Sequence, residues 1–423
     1  MNLASSDLAV ATLVREHWAS LLRSLILFSG RVDLAEDALS AACERALSAW
    51  GEQVPAHPVA WIRRAAQRIL IDELRHEQAL VRRRHLVATE ESVEAAESVP
   101  STIDDRVEML WLACHPALGS ESRPLLALRF VLGLSTERIA RMFLVSTSTM
   151  AARITRAKKR AALAGFALTS SHDYPERADD VARAISVAYT AAYFADDPST
   201  GELVTLLQQT ARSHPHPALN ALDVLVSLTH ARRDARIDAS GRLLTLAEQD
   251  RSLWHADEMT ASLRRYTALT PSHGYAEELR AYATIEAVHA VAPDIEHTNW
   301  GLIDAAHDLL ARLGDSPLDR LENAAGRAAS GRAVVRADVD KLRRELPDHH
   351  RVLVLGAYLL RQEGDDPGAD DLLRQAIDLC EYEHERHALR HLLSNSGDSL
   401  GEASARTTTP AISAAMTISV ENL

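Results

Sequence analysis

The sequence predicts an all-α protein with two small helical domains, the second carrying a helix-turn-helix, followed by a larger domain of α-helical hairpins. Alanine, leucine and arginine dominate, and only 17 glycines and 15 prolines interrupt 423 residues, a composition that favours helices. Apolar residues recur at helical spacing through most of the chain. The three cysteines lie far apart and form neither a disulfide framework nor a zinc-binding pair. A chain of this length is therefore expected to form two or three domains, each stabilised by its own hydrophobic core.

Residues 8–77 are predicted to form the first domain, a bundle of three helices. Two amphipathic stretches, Val14–Phe28 and Asp33–Trp50, come first. Pro58 opens the third helix, because proline is tolerated in the first helical turn. The predicted core positions of the second and third helices are Leu34, Ala38, Ala42, Leu47, Trp61, Ala65, Ile69 and Leu70. The polar face of the third helix carries Arg63, Arg64, Arg68 and Arg75.

A linker is predicted at residues 78–103, where arginines precede an acidic run rich in alanine and serine. The second domain, residues 104–166, ends in a helix-turn-helix over residues 133–161. Ser135 and Ser146 are placed to cap its two helices, because a serine hydroxyl accepts a hydrogen bond from the backbone of the first turn.

The second helix of this motif has two neighbouring stripes of side chains. The stripe predicted to be buried consists of Met150, Ile154, Ala157 and Ala161. The stripe about 100° round the axis consists of Thr149, Arg153, Arg156 and Arg160. A helix that is apolar on one side and rich in guanidinium groups on the next suits the major groove of DNA. The alternative is an exposed basic helix in an ordinary bundle.

Helical hairpins are predicted to continue over residues 178–395. Residues 352–380 resemble a tetratricopeptide (TPR) hairpin, in which Ala357, Gly364, Ala369 and Ala376 are the small packing positions. No strict repeat period accompanies this unit. Stacked hairpins offer a concave surface for a protein partner or for docking onto the rest of the chain. The last segment, residues 396–423, is rich in serine, threonine and alanine and is predicted to be disordered.

The formal net charge of −13 is unevenly distributed. Residues 1–170 carry 21 Lys+Arg and 19 Asp+Glu, a charge of +2, whereas the remainder carries 25 and 40, a charge of −15. DNA would attract the local basic helices of the first part and repel the second part. The C-terminal half is therefore expected to meet protein or solvent.

Two helical domains joined by a linker, the second ending in a helix-turn-helix, resemble bacterial sigma factors, and more narrowly the extracytoplasmic-function (ECF) subfamily of the sigma-70 family. The segment DLAEDALSAACERAL is similar to the polymerase-clamp helix of that class, and PVAWIRRAAQRILIDELR to the helix beside its minus-ten element. Residues 231–254 and 292–300 resemble the subgroup with a long C-terminal extension of TPR type. The class commonly has a glutamine and an aromatic residue where this chain has Ser40 and Cys43.

The resemblance implies a sigma factor that binds core RNA polymerase, recognises promoter DNA and helps to melt it. It implies polymerase binding by Asp33, Glu36, Asp37 and Glu44, and contacts near the minus-ten element by Arg63, Arg64, Arg68 and Arg75. At the minus-thirty-five element it implies base-edge contacts by Thr147, Ser148, Ala152 and Arg153, and phosphate contacts by Arg156, Lys159 and Arg160.

No catalytic triad, phosphate-binding glycine loop or metal-binding helix motif is found in the sequence, so we expect no enzyme activity, cofactor or metal. No apolar run is long enough to span a membrane, and a cytoplasmic protein is expected. One alternative is a one-component transcriptional regulator that joins a helix-turn-helix to a helical-repeat sensor domain. Another is a helical scaffold that no longer binds DNA. The domain at residues 8–77 and the arginines of the recognition helix favour the sigma factor.

Overall fold

The computed structural model describes residues 5–50, 53–82, 103–163, 174–314, 317–329, 334 and 336–394. The described regular structure is helical apart from one isolated antiparallel bridge between Ile237 and Leu243, which confirms the predicted all-α class. The chain divides into two compact units, Met1–Ala188 and Tyr189–Asn422. The predicted tail at residues 396–423 and most of the predicted linker lie outside the described residues.

The first unit contains seven helices among its described residues, followed by a helix that crosses into the second unit. They are α1 (Ser5–Ser29), α2 (Val32–Trp50), α3 (Pro58–Arg82), α4 (Ile103–Ala113), α5 (Arg123–Phe130), α6 (Thr136–Met142), α7 (Thr147–Leu163) and α8 (Tyr174–Phe194). Helices α1, α2 and α3 pack against one another as the N-terminal bundle. Helices α4 to α7 form the helix-turn-helix bundle.

The core face of α3 differs by one residue from the predicted face. Ile62, Ala66 and Leu70 are completely buried, whereas Trp61 is half-buried and lies edge-on to Trp50 with 5.4 Å between the ring centroids. Two adjacent stripes of α3 are both apolar, so the spacing predicts a helix without deciding which stripe faces inward. Packing against α1 and α2 decides it.

Helix α2 is buried on more than one side. Leu39 and Ala46 are fully buried, whereas the predicted core residue Leu34 is half-buried and Leu47 is exposed. Besides α1 and α3, α2 also contacts α7 of the helix-turn-helix bundle. This extra contact brings a second face of α2 into the interior, and sequence periodicity within α2 gives no sign of it.

The N-terminal bundle and the helix-turn-helix bundle pack directly against each other within the first unit. Arg23 of α1 forms ion pairs with Asp105 and Glu108 of α4. Gly133, just before α6, has a φ of +64° and approaches Trp18 of α1 so closely that a β-carbon there would lie 2.8 Å from the indole. The predicted pair of N-terminal helical domains therefore forms one compact unit in this structure.

The second unit continues with ten further helices among the described residues. They are α9 (Thr200–Ser213), α10 (Pro217–His230), α11 (Ala256–Tyr266), α12 (Gly274–Val291), α13 (Trp300–Leu313), α14 (Pro317–Ala329), α15 (Arg336–Glu345), α16 (His350–Gln362), α17 (Asp366–Leu379) and α18 (Glu383–Ser394). The long connection between α10 and α11 is held to α12 by buried polar contacts. Arg232 pairs with Glu286, and Arg251 donates to the backbone oxygens of His289 and Ala292.

The hairpin predicted over residues 352–380 is present as α16 and α17. Ala357, Ala369 and Ala376 are buried between its helices, as their size predicts. The end of this helical array contacts its beginning, because Tyr382 lies 5.1 Å from Phe194 between ring centroids and His384 Nδ1 lies 2.8 Å from the Gly241 oxygen.

The buried Glu385 makes the second unit sensitive to acid. Burial raises the pKa of its carboxyl, but Arg351 and His350 outweigh burial and lower the pKa to about 2. A lowered carboxyl pKa stabilises the fold above the pKa of the unfolded chain, and this contribution is lost as pH falls through about 2. We expect Glu385→Gln to lower the free energy of unfolding at pH 7 by roughly 2–3 kcal/mol.

Urea unfolding of the full chain at pH 7 and at pH 3 measures this effect. The difference between wild type and Glu385→Gln should shrink at pH 3, because the wild-type carboxylate then loses part of its advantage over the unfolded chain. Glu383→Gln is the matched control, since Glu383 on the same helix is exposed. Equal losses at the two pH values would contradict the assignment.

Candidate nucleic-acid interface

The helix-turn-helix forms as its sequence predicts. Ser135 Oγ accepts a hydrogen bond from the Arg138 backbone at 3.2 Å, and Ser146 Oγ accepts one from the Thr149 backbone at 3.2 Å. Leu144 occupies the turn with a φ of +52°. Both predicted caps are confirmed, and they fix where α6 and α7 begin.

Helix α7 has one buried side and one cationic side. Met150, Ile154, Ala157 and Ala161 are buried, as predicted. The minus-thirty-five candidates on the other side are Thr147, Ser148, Ala152, Arg156, Lys159 and Arg160, which are exposed, and Arg153, which is half-buried. This geometry leaves the first turns of α7 and its guanidinium groups accessible to a ligand outside the unit.

The three arginines of α7 and the turn that precedes α5 together line a pocket of about 200 Å³. Arg153, Arg156 and Arg160 lie on one wall, and Glu121 and Ser122 lie on the other. Three cations face one carboxylate, so the pocket has an excess of positive charge and suits an anion. No local sequence pattern points to Glu121 and Ser122, because only the fold brings that turn to α7.

The minus-ten candidates follow the outer side of α3. Arg64, Arg68 and Arg75 are exposed, and Arg63 is half-buried. Spacings of four and seven residues place the three exposed arginines close to one face of the helix. They form a second cationic surface in the first unit, separate from α7.

The four polymerase candidates on α2 have different surroundings. Asp37 and Glu44 are exposed, and Asp33 is paired with Arg31 at 2.8 Å. Partial burial raises the pKa of the Asp33 carboxyl, but Arg31 outweighs it and leaves the pKa below its usual value. Glu36 is 1% exposed, so its carboxylate is inside the first unit in this structure.

The Glu36 cluster, consisting of Glu36, Asp37, Ser40, Arg129 and Lys158, joins α2 to the helix-turn-helix bundle. Lys158 Nζ donates to Glu36 Oε2 at 2.8 Å and also to Asp37. Arg129 pairs with the other oxygen of Glu36 and donates to Ser40 Oγ at 2.8 Å. Burial raises the pKa of the Glu36 carboxyl, but the two cations outweigh it and hold the pKa below its usual value.

The role of Lys158 was missed in the sequence, although a signal was present. Lys158 lies four residues after Ile154 and eight after Met150, on the buried side of α7. Its neighbours Lys159 and Arg160 are exposed. A cation at a core position indicates a buried partner, and only the fold shows that the partner is Glu36.

One cluster in the second unit has side chains that could hold a metal ion. The donor atoms of His350, Cys380 and Glu385 lie within 4.8 Å of one another. The Glu385 oxygen that faces His350 also accepts a hydrogen bond from Arg351 at 3.1 Å, so a guanidinium group already neutralises the carboxylate. Burial raises the pKa of the Cys380 thiol to about 12, which favours the protonated thiol. These contacts describe a hydrogen-bonded cluster that links α16 to α18.

Within the described residues, no helix combines the length and the apolar composition that a membrane crossing requires.

Comparisons with known proteins agree with the cationic helix-turn-helix. Residues 108–160 match the family "Sigma-70, region 4", and residues 177–268 match a family of unknown function, DUF6596. An uncharacterized protein of Rhizobium meliloti (strain 1021) is 32% identical over 411 residues, which cover 92% of this chain and 95% of that protein. No solved structure matches the chain.

The chain therefore belongs to the same family as the Rhizobium meliloti protein. Its region 4 match supports membership of the sigma-70 family, a family of transcription factors that are not enzymes. The match indicates DNA binding in transcription initiation and, with it, interaction with RNA polymerase and promoter DNA.

Proposed function

We propose that this protein is a sigma factor of the extracytoplasmic-function type, which binds core RNA polymerase and directs it to promoters. The observation that carries the proposal is the exposed cationic side of α7, with its arginine-lined pocket, in a segment that matches sigma-70 region 4. A buried apolar side supports that helix while its first turns stay accessible, which is how a recognition helix enters a major groove.

At the minus-thirty-five element, the first turns of α7 are proposed to contact base edges through Thr147, Ser148, Ala152 and Arg153. Arg156, Lys159 and Arg160 lie further along the helix and are proposed to bind phosphates. Arg153 lines the same pocket as Arg156 and Arg160, so it lies close enough to these phosphate-binding side chains to contact the same DNA strand. Phosphate contacts position the helix, and base contacts select the sequence.

The N-terminal bundle is proposed to bind the minus-ten element and the polymerase. Arg63, Arg64, Arg68 and Arg75 of α3 would hold the DNA backbone while a base leaves the stack. Flipping a base costs a few kcal/mol, and least when the base has already lost its partner. The acidic side chains of α2 would pair with basic residues of the polymerase. Asp37 and Glu44 are exposed and Asp33 is half-buried beside Arg31, whereas Glu36 becomes accessible only if α7 leaves α2.

The C-terminal extension, residues 178–395, is proposed to regulate the sigma function through a protein partner or through the sigma domains. Its strong negative charge opposes a direct contribution to DNA affinity. The charge instead favours a basic protein surface as its partner.

Promoter-dependent transcription by purified components tests the proposal. The full chain added to core polymerase should yield transcripts from its own promoter. Glu44→Lys, at an exposed position outside the Glu36 cluster, should bind core polymerase at least about tenfold more weakly, because like charges then face each other across the interface. Asp257→Lys, a reversal at an exposed position of α11, is the matched control.

Two outcomes would contradict the proposal. If the wild-type chain binds promoter DNA without binding core polymerase, the protein is a one-component regulator. If Glu44→Lys is folded and binds core polymerase as tightly as the Asp257→Lys control, the polymerase surface does not include this face of α2.

A further inference from the structure

The second domain of the first unit covers part of the surface proposed for the polymerase. Glu36 is 1% exposed because α7 lies over it, and Lys158 of α7 donates to its Oε2 at 2.8 Å. Arg129 of α5 forms an ion pair with the other oxygen of the Glu36 carboxylate. Two cations of the chain itself therefore occupy the place in which basic residues of the polymerase would lie.

We propose that the Glu36 cluster is an intramolecular latch that keeps the two helical bundles of the first unit closed and thereby lowers the affinity of the free protein for core polymerase. The closure of the two bundles does not depend on the proposed function. The effect of this closure on polymerase binding does rest on the proposed function.

The latch is more than a surface ion pair. Lys158 is 9% exposed and has no second role on the cationic side of α7, since Arg153, Arg156 and Arg160 point to the separate pocket. Ser40 fixes the carboxylate by donating to Glu36 Oε1 at 2.8 Å and accepting from Arg129.

Closed bundles are incompatible with simultaneous use of both promoter elements. Elements centred about 25 base pairs apart are separated by roughly 85 Å along B-DNA, at 3.4 Å per base pair. A contact of 2.8 Å between α2 and α7 cannot persist when the two bundles lie on such elements. Arg156 and Arg160 are exposed and Arg153 is half-buried in the closed state, so the latch acts on polymerase binding more than on DNA binding.

The energetics allow the latch to open. A buried ion pair is only slightly more stable than the same two side chains separated in water, because the desolvation of both charges offsets their attraction. Removing one partner is different, because the remaining charge is then buried with less compensation. Loss of Lys158 should therefore favour the open state, in which water reaches Glu36.

The test compares Lys158→Met with two controls in the full chain. Lys341→Met makes the same change at an exposed lysine of α15, outside every proposed binding surface, and Lys158→Arg keeps the charge. Resonance energy transfer measures whether the two bundles are closed, with dyes attached at two exposed positions, 48 on α2 and 141 on α6. Lys158→Met should lower the transfer and raise the affinity for core polymerase by about fivefold or more. Lys158→Arg and Lys341→Met should match wild type in both readouts, and circular dichroism should show unchanged helix content in all three variants.

Core polymerase added to the wild-type chain should also lower the transfer, because coupling between binding and opening is reciprocal. The proposal is overturned if Lys158→Met leaves the transfer unchanged, since the cluster then does not hold the bundles together. It is also overturned if the transfer falls while the affinity for polymerase stays the same. If no variant binds polymerase, the proposed function fails, and a loss of transfer in Lys158→Met still establishes the latch as a conformational element.

Discussion

The triple variant Arg153→Ala, Arg156→Ala and Arg160→Ala is expected to lose promoter DNA binding almost completely. The three guanidinium groups line one pocket and face a single carboxylate, so together they supply most of its positive charge. Three charge-assisted hydrogen bonds at roughly 1.5 kcal/mol each amount to about a thousandfold in affinity. The slope of log affinity against log salt should also become shallower by about two, since Arg156 and Arg160 each lose a phosphate contact and each such contact contributes nearly one unit.

Fluorescence anisotropy with promoter DNA over a range of salt concentrations measures both effects. Arg141→Ala, at an exposed position of α6 outside the pocket, is the matched control and should bind nearly as wild type. The single variants separate the two proposed roles, because Arg153→Ala should discriminate less between promoter sequences and Lys159→Ala should weaken all sequences alike. If the triple variant has the same affinity and salt slope as wild type, α7 is not part of the DNA interface.

Gly133→Ala is expected to destabilise the first unit strongly, for two separate physical reasons. Its φ of +64° is costly for a residue with a β-carbon, by about 1–2 kcal/mol. The new β-carbon would also lie 2.8 Å from both Trp18 and Val14 of α1, and overpacking of this kind costs about 1–3 kcal/mol more. The substitution should push the helix-turn-helix bundle away from the N-terminal bundle.

Gly30→Ala separates the two causes. Gly30 has almost the same φ, +65°, but a β-carbon there would meet nothing within 4 Å. Thermal unfolding of both variants in the full chain should show a small decrease in Tm for Gly30→Ala and a clearly larger one for Gly133→Ala. Equal decreases would mean that the two bundles do not approach each other at Gly133.

Local sequence was sufficient for the helix-turn-helix. Ser135 and Ser146 cap α6 and α7, and the buried stripe of α7 follows from the spacing of its apolar residues, because both features depend on neighbours within one helical turn. The hairpin of α16 and α17 was predictable for the same reason, since its small residues and turn lie within one short segment. The uneven charge of the two halves also follows directly from composition.

The tertiary structure decided which polar groups are shared between distant segments. Glu36 and Lys158 are 122 residues apart, and each belongs to a charged run that looks solvated in its own helix. Ser122 meets the arginines of α7 only because α5 packs under that helix. The inward stripe of α3 was likewise set by its neighbours, because two adjacent stripes are apolar. Helical periodicity depends on contacts within a few residues, whereas the burial of a charge depends on the partner that folding brings to it, and a single sequence does not specify that partner.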